Sequence, residues 1–143
     1  MFQRVNDPDI YELRLTLLPD EETNTIFLPA DFLGNTSVTS YIYISGNSNY
    51  PSLVIDPLAF RSSQNSLTKF NVKNLDFGLQ EDFNFLNGFN KLEALWISYI
   101  KNLTAFQYLP PLPSFQELQV ALTPSELNQI AFPDLRSAKL KHL

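Results

Sequence analysis

Residues 91–106 read KLEALWISYIKNLTAF, and the fold turns on which way Trp96 points. Leu92, Leu95 and Ile97 are spaced as a buried strand requires, with the last two separated by one residue and so on one face. Trp96, the chain's only tryptophan, lies between them. If the stretch is a strand, its indole faces the opposite way, onto a surface that such a side chain would equip for binding.

The same frame, apolar-x-x-apolar-x-apolar, recurs along the chain. IYELRL offers Ile10, Leu13 and Leu15, and TSYIYI offers Ile42 and Ile44 with Thr39 in the first slot. Leu67, Phe70 and Val72 follow, then Leu92, Leu95 and Ile97, then Phe115, Leu118 and Val120, and finally Leu135, Ala138 and Leu140. The frames start at 10, 39, 67, 92, 115 and 135, with spacings of 29, 28, 25, 23 and 20. All lie within the period of leucine-rich repeats. Asn47 falls eight residues after Thr39, where a buried asparagine bonds free backbone groups, and Leu75 and Phe77 take the next inward slots of their repeat. Phe32 and Phe60 each precede a frame by seven residues, and Phe132 stands closer to the last one. Pro29, Pro57, Pro110, Pro111, Pro113, Pro124 and Pro133 all fall between frames, where a missing amide donor harms no ladder.

These spacings predict an α/β leucine-rich repeat solenoid of about six irregular repeats, a single domain over 1–143. A parallel sheet forms its concave side, and irregular or short-helical segments form most of its convex side. No repeat buries its own apolar edge, so neighbours must stack. The strands alternate apolar and polar residues, which leaves the concave face open, unlike the doubly covered parallel sheets of ordinary α/β proteins. The second frame also admits the register Val38, Tyr41, Tyr43. The Ile42 and Ile44 register is preferred because it places Asn47 in the ladder slot and evens the spacing, and a one-residue slip would invert every side chain.

With that register the concave face carries Glu12, Arg14 and Thr16; Tyr41, Tyr43 and Ser45; Lys69, Asn71 and Lys73; Ala94, Trp96 and Ser98; Glu117, Gln119 and Ala121; and Ser137, Lys139 and Lys141. Tyrosine, tryptophan and arginine dominate binding hot spots. Arg14, Tyr41, Tyr43, Asn71, Trp96 and Gln119 are therefore the expected contacts for a protein or peptide partner.

Other functions find little support. The chain has 143 residues, 44% apolar and 17% charged, with no apolar run of membrane-spanning length. Its net charge is -5, and seven acids against Arg4 and Arg14 crowd residues 1–31, which disfavours nucleic acid as a partner. There is no cysteine, which excludes disulfides and thiolate chemistry. The sole histidine, His142, is penultimate, so a catalytic base is lacking. Asp20, Glu21 and Glu22 are consecutive without a ligand-loop pattern, and Glu81 and Asp82 form no better pair. We expect neither an enzyme nor a metal or cofactor site.

The residues AFRSSQNSLTKFNV (59–72), KLEALWI (91–97) and KNLTAF (101–106) resemble the extracellular leucine-rich repeat proteins of arthropods, including those similar to the non-catalytic subunit of shrimp luciferase. The resemblance covers about residues 26–143. It implies a curved solenoid, an extracellular setting and a binding role without chemistry. The sequons NTS at Asn35 and NLT at Asn102 fit glycosylation in that setting. The chain departs from the group in having no cysteine-rich caps, and MFQRVNDPDIYELRL has no signal-peptide run. The last frame ends three residues before the final leucine, so the expectation is a piece of a longer chain, or a homodimer through exposed ends.

Overall fold

The computed structural model describes residues 9–18, 25–123, 125, 130, 132 and 133. Its strands are β1 (Asp9–Thr16), β2 (Thr25–Leu28), β3 (Ser37–Ser45), β4 (Ser52–Ile55), β5 (Lys69–Asp76), β6 (Ala94–Lys101) and β7 (Glu117–Ala121). Their pairings are parallel, and together they form one curled sheet, a half-barrel, with few helices. Short 3-10 turns at Arg61–Ser63, Asn84–Leu86 and Leu103–Tyr108 lie in the connections. No helix among the described residues is long and apolar enough to cross a membrane.

Two inward rows make the core of the sheet. Leu13, Ile42, Phe70, Leu95 and Leu118 align across β1, β3, β5, β6 and β7, and Leu15, Ile44, Val72, Ile97 and Val120 align beside them. Ile42, Ile44, Phe70, Val72, Leu95 and Ile97 are fully buried, whereas Leu13 and Leu15 on the outermost strand are half-buried. The register with Ile42 and Ile44 inward is thus the one adopted. Thr39 is not the inward first slot, however. A bulge in β3 between Val38 and Tyr41 pairs Val38 with Ile10 and turns Thr39 to solvent, because the apolar Val38 gains more from burial than a hydroxyl would.

Behind the sheet runs a column of phenylalanines. Phe60, Phe70, Phe85, Phe83 and Phe106 follow one another at centroid distances of 5.8, 5.5, 5.0 and 5.5 Å, with Phe77 on Phe83 at 5.8 Å. Phe32 and Phe132 extend the column at its two ends and are partly exposed. Phe85 stands seven residues before Leu92, the offset already noted for Phe32 and Phe60.

Serines complete the ladder where strands end. The buried Ser63 hydroxyl accepts the Val38 amide at 2.8 Å, and the Ser66 hydroxyl donates to the Val38 carbonyl at 2.8 Å. The stretch between Phe60 and Leu67 is thereby stitched to the start of β3 by side chains standing in for backbone.

The connections also hold β2 and β4, which the apolar frame does not reveal. They pair with each other from Thr25↔Ser52 to Leu28↔Ile55, and β4 joins β5 through Ser52↔Asp76. β5 reaches them by bending at Asn74, and β6 bends alike at Tyr99, both with left-handed backbone. In β3 the corresponding corner is Gly46, whose amide bonds the Lys73 carbonyl at 2.9 Å. A Cβ there would run into the Asn74 carbonyl oxygen and come within 2.7 Å of Pro51 Cδ. Gly46→Ala is therefore expected to lower stability by about 1–3 kcal/mol, the usual cost of overpacking. Urea unfolding followed through Trp96 emission checks this, and an unchanged midpoint would mean that the corner yields.

Past Gly46 the chain inserts a turn instead of an asparagine ladder. Asn47 Oδ1 accepts the amide of Asn49 at 2.9 Å, and the Asn47 carbonyl accepts that of Tyr50 at 3.0 Å. The expected interior role of Asn47 is corrected accordingly. Leu75 and Ile100 fill the inward positions after their own corners and are fully buried. The frame at 135–140, with Ser137, Lys139, Lys141 and His142, lies outside the described residues, as do Asp20, Glu21 and Glu22.

Candidate functional site

The side chains that alternate with the core rows point to the open face of the sheet. Arg14, Tyr43, Asn71, Trp96 and Gln119 align in one row through Arg14↔Tyr43, Tyr43↔Asn71, Asn71↔Trp96 and Trp96↔Gln119. Glu12, Tyr41, Lys69, Ala94 and Glu117 form the row on one side, and Thr16, Ser45, Lys73, Ser98 and Ala121 the row on the other. All six sequence-designated contact residues thus share this face. Trp96 is half-buried among its neighbours, while Leu95 and Ile97 on either side are fully buried in the core.

Adjacent strands stand about 4.8 Å apart, so contacts between rings two strands away need a long side chain that leans. Tyr41 is that side chain. Its ring meets Trp96 edge-on at 5.9 Å and Tyr43 at 6.2 Å, crossing above β5. Tyr43 itself sits next to Arg14, whose guanidinium lies 5.3 Å from its ring centre and 5.7 Å from that of Tyr41. Edge-to-face pairs contribute on the order of 1 kcal/mol each, and the guanidinium adds its attraction to the ring faces, so the cluster is held in place from several sides.

Polar partners fix the remaining freedom. The Trp96 indole N–H donates to Glu117 Oε2 at 2.7 Å, and Lys69 Nζ stands 5.7 Å over the indole. Arg14 binds Glu12 through Nε–Oε2 at 3.1 Å, and that hydrogen bond, with the nearby negative charge, raises the guanidinium pKa above its ordinary value. Asn71 Nδ2 donates to the Tyr41 hydroxyl at 2.8 Å, but the buried Asn71 Oδ1 has no hydrogen-bond partner. Turning the amide over would only exchange an unpaired acceptor for an unpaired donor. A buried orphan of this sort costs about 1–3 kcal/mol, so the cluster is not optimised for stability at Asn71.

Sequence reasoning placed Lys69 and Glu117 on this face without giving them a part in the cluster. Their long side chains on opposite flanks of Trp96 were the available signal. Ala94, expected to be open, is 4% exposed, since a methyl between those two side chains is sunk beneath them. Gln119 remains exposed at the rim.

Of the two sequons, Asn35 is exposed in a run of turns, and Asn102 is exposed with left-handed backbone, its Nδ2 donating to Asp76 Oδ1 at 3.0 Å. Asp82 spends its carboxylate on the Asn84 amide at 3.0 Å, a turn contact. Among the described residues no three His, Asp or Glu side chains group closely enough to hold a metal ion.

Trp96→Ala is expected to cost about 2–3 kcal/mol, for one edge-to-face pair and one hydrogen bond to a charged acceptor, and to leave the circular dichroism spectrum unchanged. Loss of the folded spectrum would place the indole in the core instead. No family model, curated protein or solved structure matches this chain.

Proposed function

We propose that the chain is a leucine-rich repeat solenoid that binds a protein or peptide on its concave face, with no chemistry of its own, in an extracellular setting. The observation that carries this reading is the cluster of Arg14, Tyr43, Tyr41 and Trp96 on the open side of a parallel sheet. A parallel sheet normally covers both faces. Here the open face presents the residue types that anchor interfaces, with Tyr41, Tyr43 and Trp96 half-buried and packed edge to face, which lowers the ordering entropy that opposes binding. The spacing of the frames and the resemblance described above support the repeat assignment, and the exposed Asn35 and Asn102 fit its use as a glycoprotein.

The test is selection of peptides from a random library against the wild-type chain. Selected peptides are expected to bind Trp96→Ala and Tyr43→Ala at least about tenfold more weakly, as hot-spot truncations do. Equal binding to both variants, with their folds intact, would overturn the concave site.

A second reading, self-association through the ends, is favoured by one observation. Tyr11, Leu18 and Phe27 are 74%, 78% and 57% exposed on and beside the outer strands β1 and β2. Light scattering separates the readings: a dimer abolished by Phe27→Asp supports the second, and a monomer supports the first.

A further inference from the structure

The row beyond the aromatic cluster is made of small side chains and one cation. Thr16, Ser45, Ser98 and Ala121 flank Lys73, with Ser45 and Ser98 its direct neighbours at strand spacing. Among the described residues Lys73 has no acid within ion-pair distance, and the Ser45 and Ser98 hydroxyls carry no hydrogen bond. Four residues earlier on the same strand and face stands Lys69, which touches the Trp96 ring and likewise has no acid partner. The acids of this face are committed elsewhere, Glu12 to Arg14 and Glu117 to the indole. The three rows hold the bases Arg14, Lys69 and Lys73 against the acids Glu12 and Glu117, an excess of one positive charge on a chain of net charge -5.

Resting on the concave-face reading, we propose that the partner is an acidic extended peptide segment that runs along β5. One carboxylate sits at Lys73 between the two serine hydroxyls, a second sits at Lys69, and an apolar side chain between them packs on the Tyr41 and Trp96 rings. Strand geometry sets the spacing. Residues four apart lie about 13 Å apart, so the acids belong at positions i and i+4 of the segment, with the apolar residue at i+2 on the same side. A carboxylate in this trough gains a charge-assisted hydrogen bond to the ammonium and neutral ones from the hydroxyls.

The probe is the acetylated and amidated peptide Glu-Thr-Leu-Thr-Glu, titrated against the wild-type chain while Trp96, the sole tryptophan, reports by its emission. Two control peptides replace both glutamates by glutamine or by lysine. The acidic probe is expected to shift Trp96 emission saturably, at least about tenfold more tightly than either control, and more weakly as salt rises. Lys73→Gln is expected to weaken it about tenfold, and Lys73→Arg to restore most of the loss, with thermal midpoints unchanged in both. Equal binding of the glutamine or lysine peptide, indifference to Lys73→Gln, or no emission change with any probe overturns the acidic partner. None of these outcomes touches the concave-face reading, which stands or falls with the library selection.

Discussion

Phe83→Ala is expected to destabilise the chain by about 3–5 kcal/mol, the loss seen when a fully buried ring is deleted from a rigid core. Phe83 is at the branch of the aromatic column. It touches Phe77 at 5.8 Å, Phe85 at 5.0 Å and Phe106 at 5.5 Å, and it is fully buried. Three neighbouring rings cannot all move into the space it leaves, because each is also held by its own segment: Phe77 beyond the end of β5, Phe85 in a 3-10 turn, Phe106 in another. Phe32→Ala provides the internal comparison. Its ring is 37% exposed and meets one other ring, Phe60, at 6.3 Å. Its loss should cost less than half as much. Urea unfolding of both variants gives the answer, and equal losses would show that the column is not what holds the sheet to its connections.

The inward rows were legible from sequence because a strand has period two and these strands lie in register without slips from Tyr41 onward. Leu95 and Ile97, read first, point as their spacing requires. The open-face rows follow from the same alternation, which by itself sets Arg14, Tyr43, Asn71, Trp96 and Gln119 in order. What alternation cannot convey is how far a side chain leans. Tyr41 belongs to the row of Lys69 yet makes its closest aromatic contact to Trp96 in the next row, two strands away. The bulge at Thr39 was hidden for a different reason, since valine and threonine are both acceptable strand residues and the choice between them depends on the neighbouring Ile10. β2 and β4 are each four residues long, TIFL and SLVI, and lie among prolines that mark connections as readily as edge strands. Asn47 matched a pattern by position only. Its turn, closed by local hydrogen bonds, competes better for the side chain than a distant backbone does.

Gln80 gave no signal at all in the sequence, and its replacement is the second large effect expected. Beyond Ser52↔Asp76, β4 has no neighbouring strand on the side of β5 among the described residues. The Gln80 side chain fills that place as a peptide group would. Its Oε1 accepts the Ile55 amide at 2.7 Å, while its Nε2 donates to the Ile55 carbonyl at 3.2 Å and to the Asp82 carbonyl at 2.9 Å. At 6% exposure the amide is shut away from water. Gln80→Leu keeps the volume but strands the Ile55 amide and carbonyl, each at about 1–3 kcal/mol, against a smaller gain from burying methyls. The net expectation is a loss of about 2–4 kcal/mol. Gln80→Glu separates hydrogen bonding from shape more sharply. An ionised carboxylate still accepts from Ile55 N–H but faces two carbonyl oxygens with no proton to offer, so this variant should be unstable at neutral pH and recover as acid protonates the carboxylate. The sign follows from burial and from those acceptors, which both favour the neutral form and raise the folded-state pKa above the unfolded one. Unfolding midpoints of Gln80→Glu measured at neutral and at mildly acidic pH, relative to wild type, carry the test. A pH-independent difference, or a Gln80→Leu variant as stable as wild type, would mean that water reaches the end of β4 and that the amide is not its substitute strand.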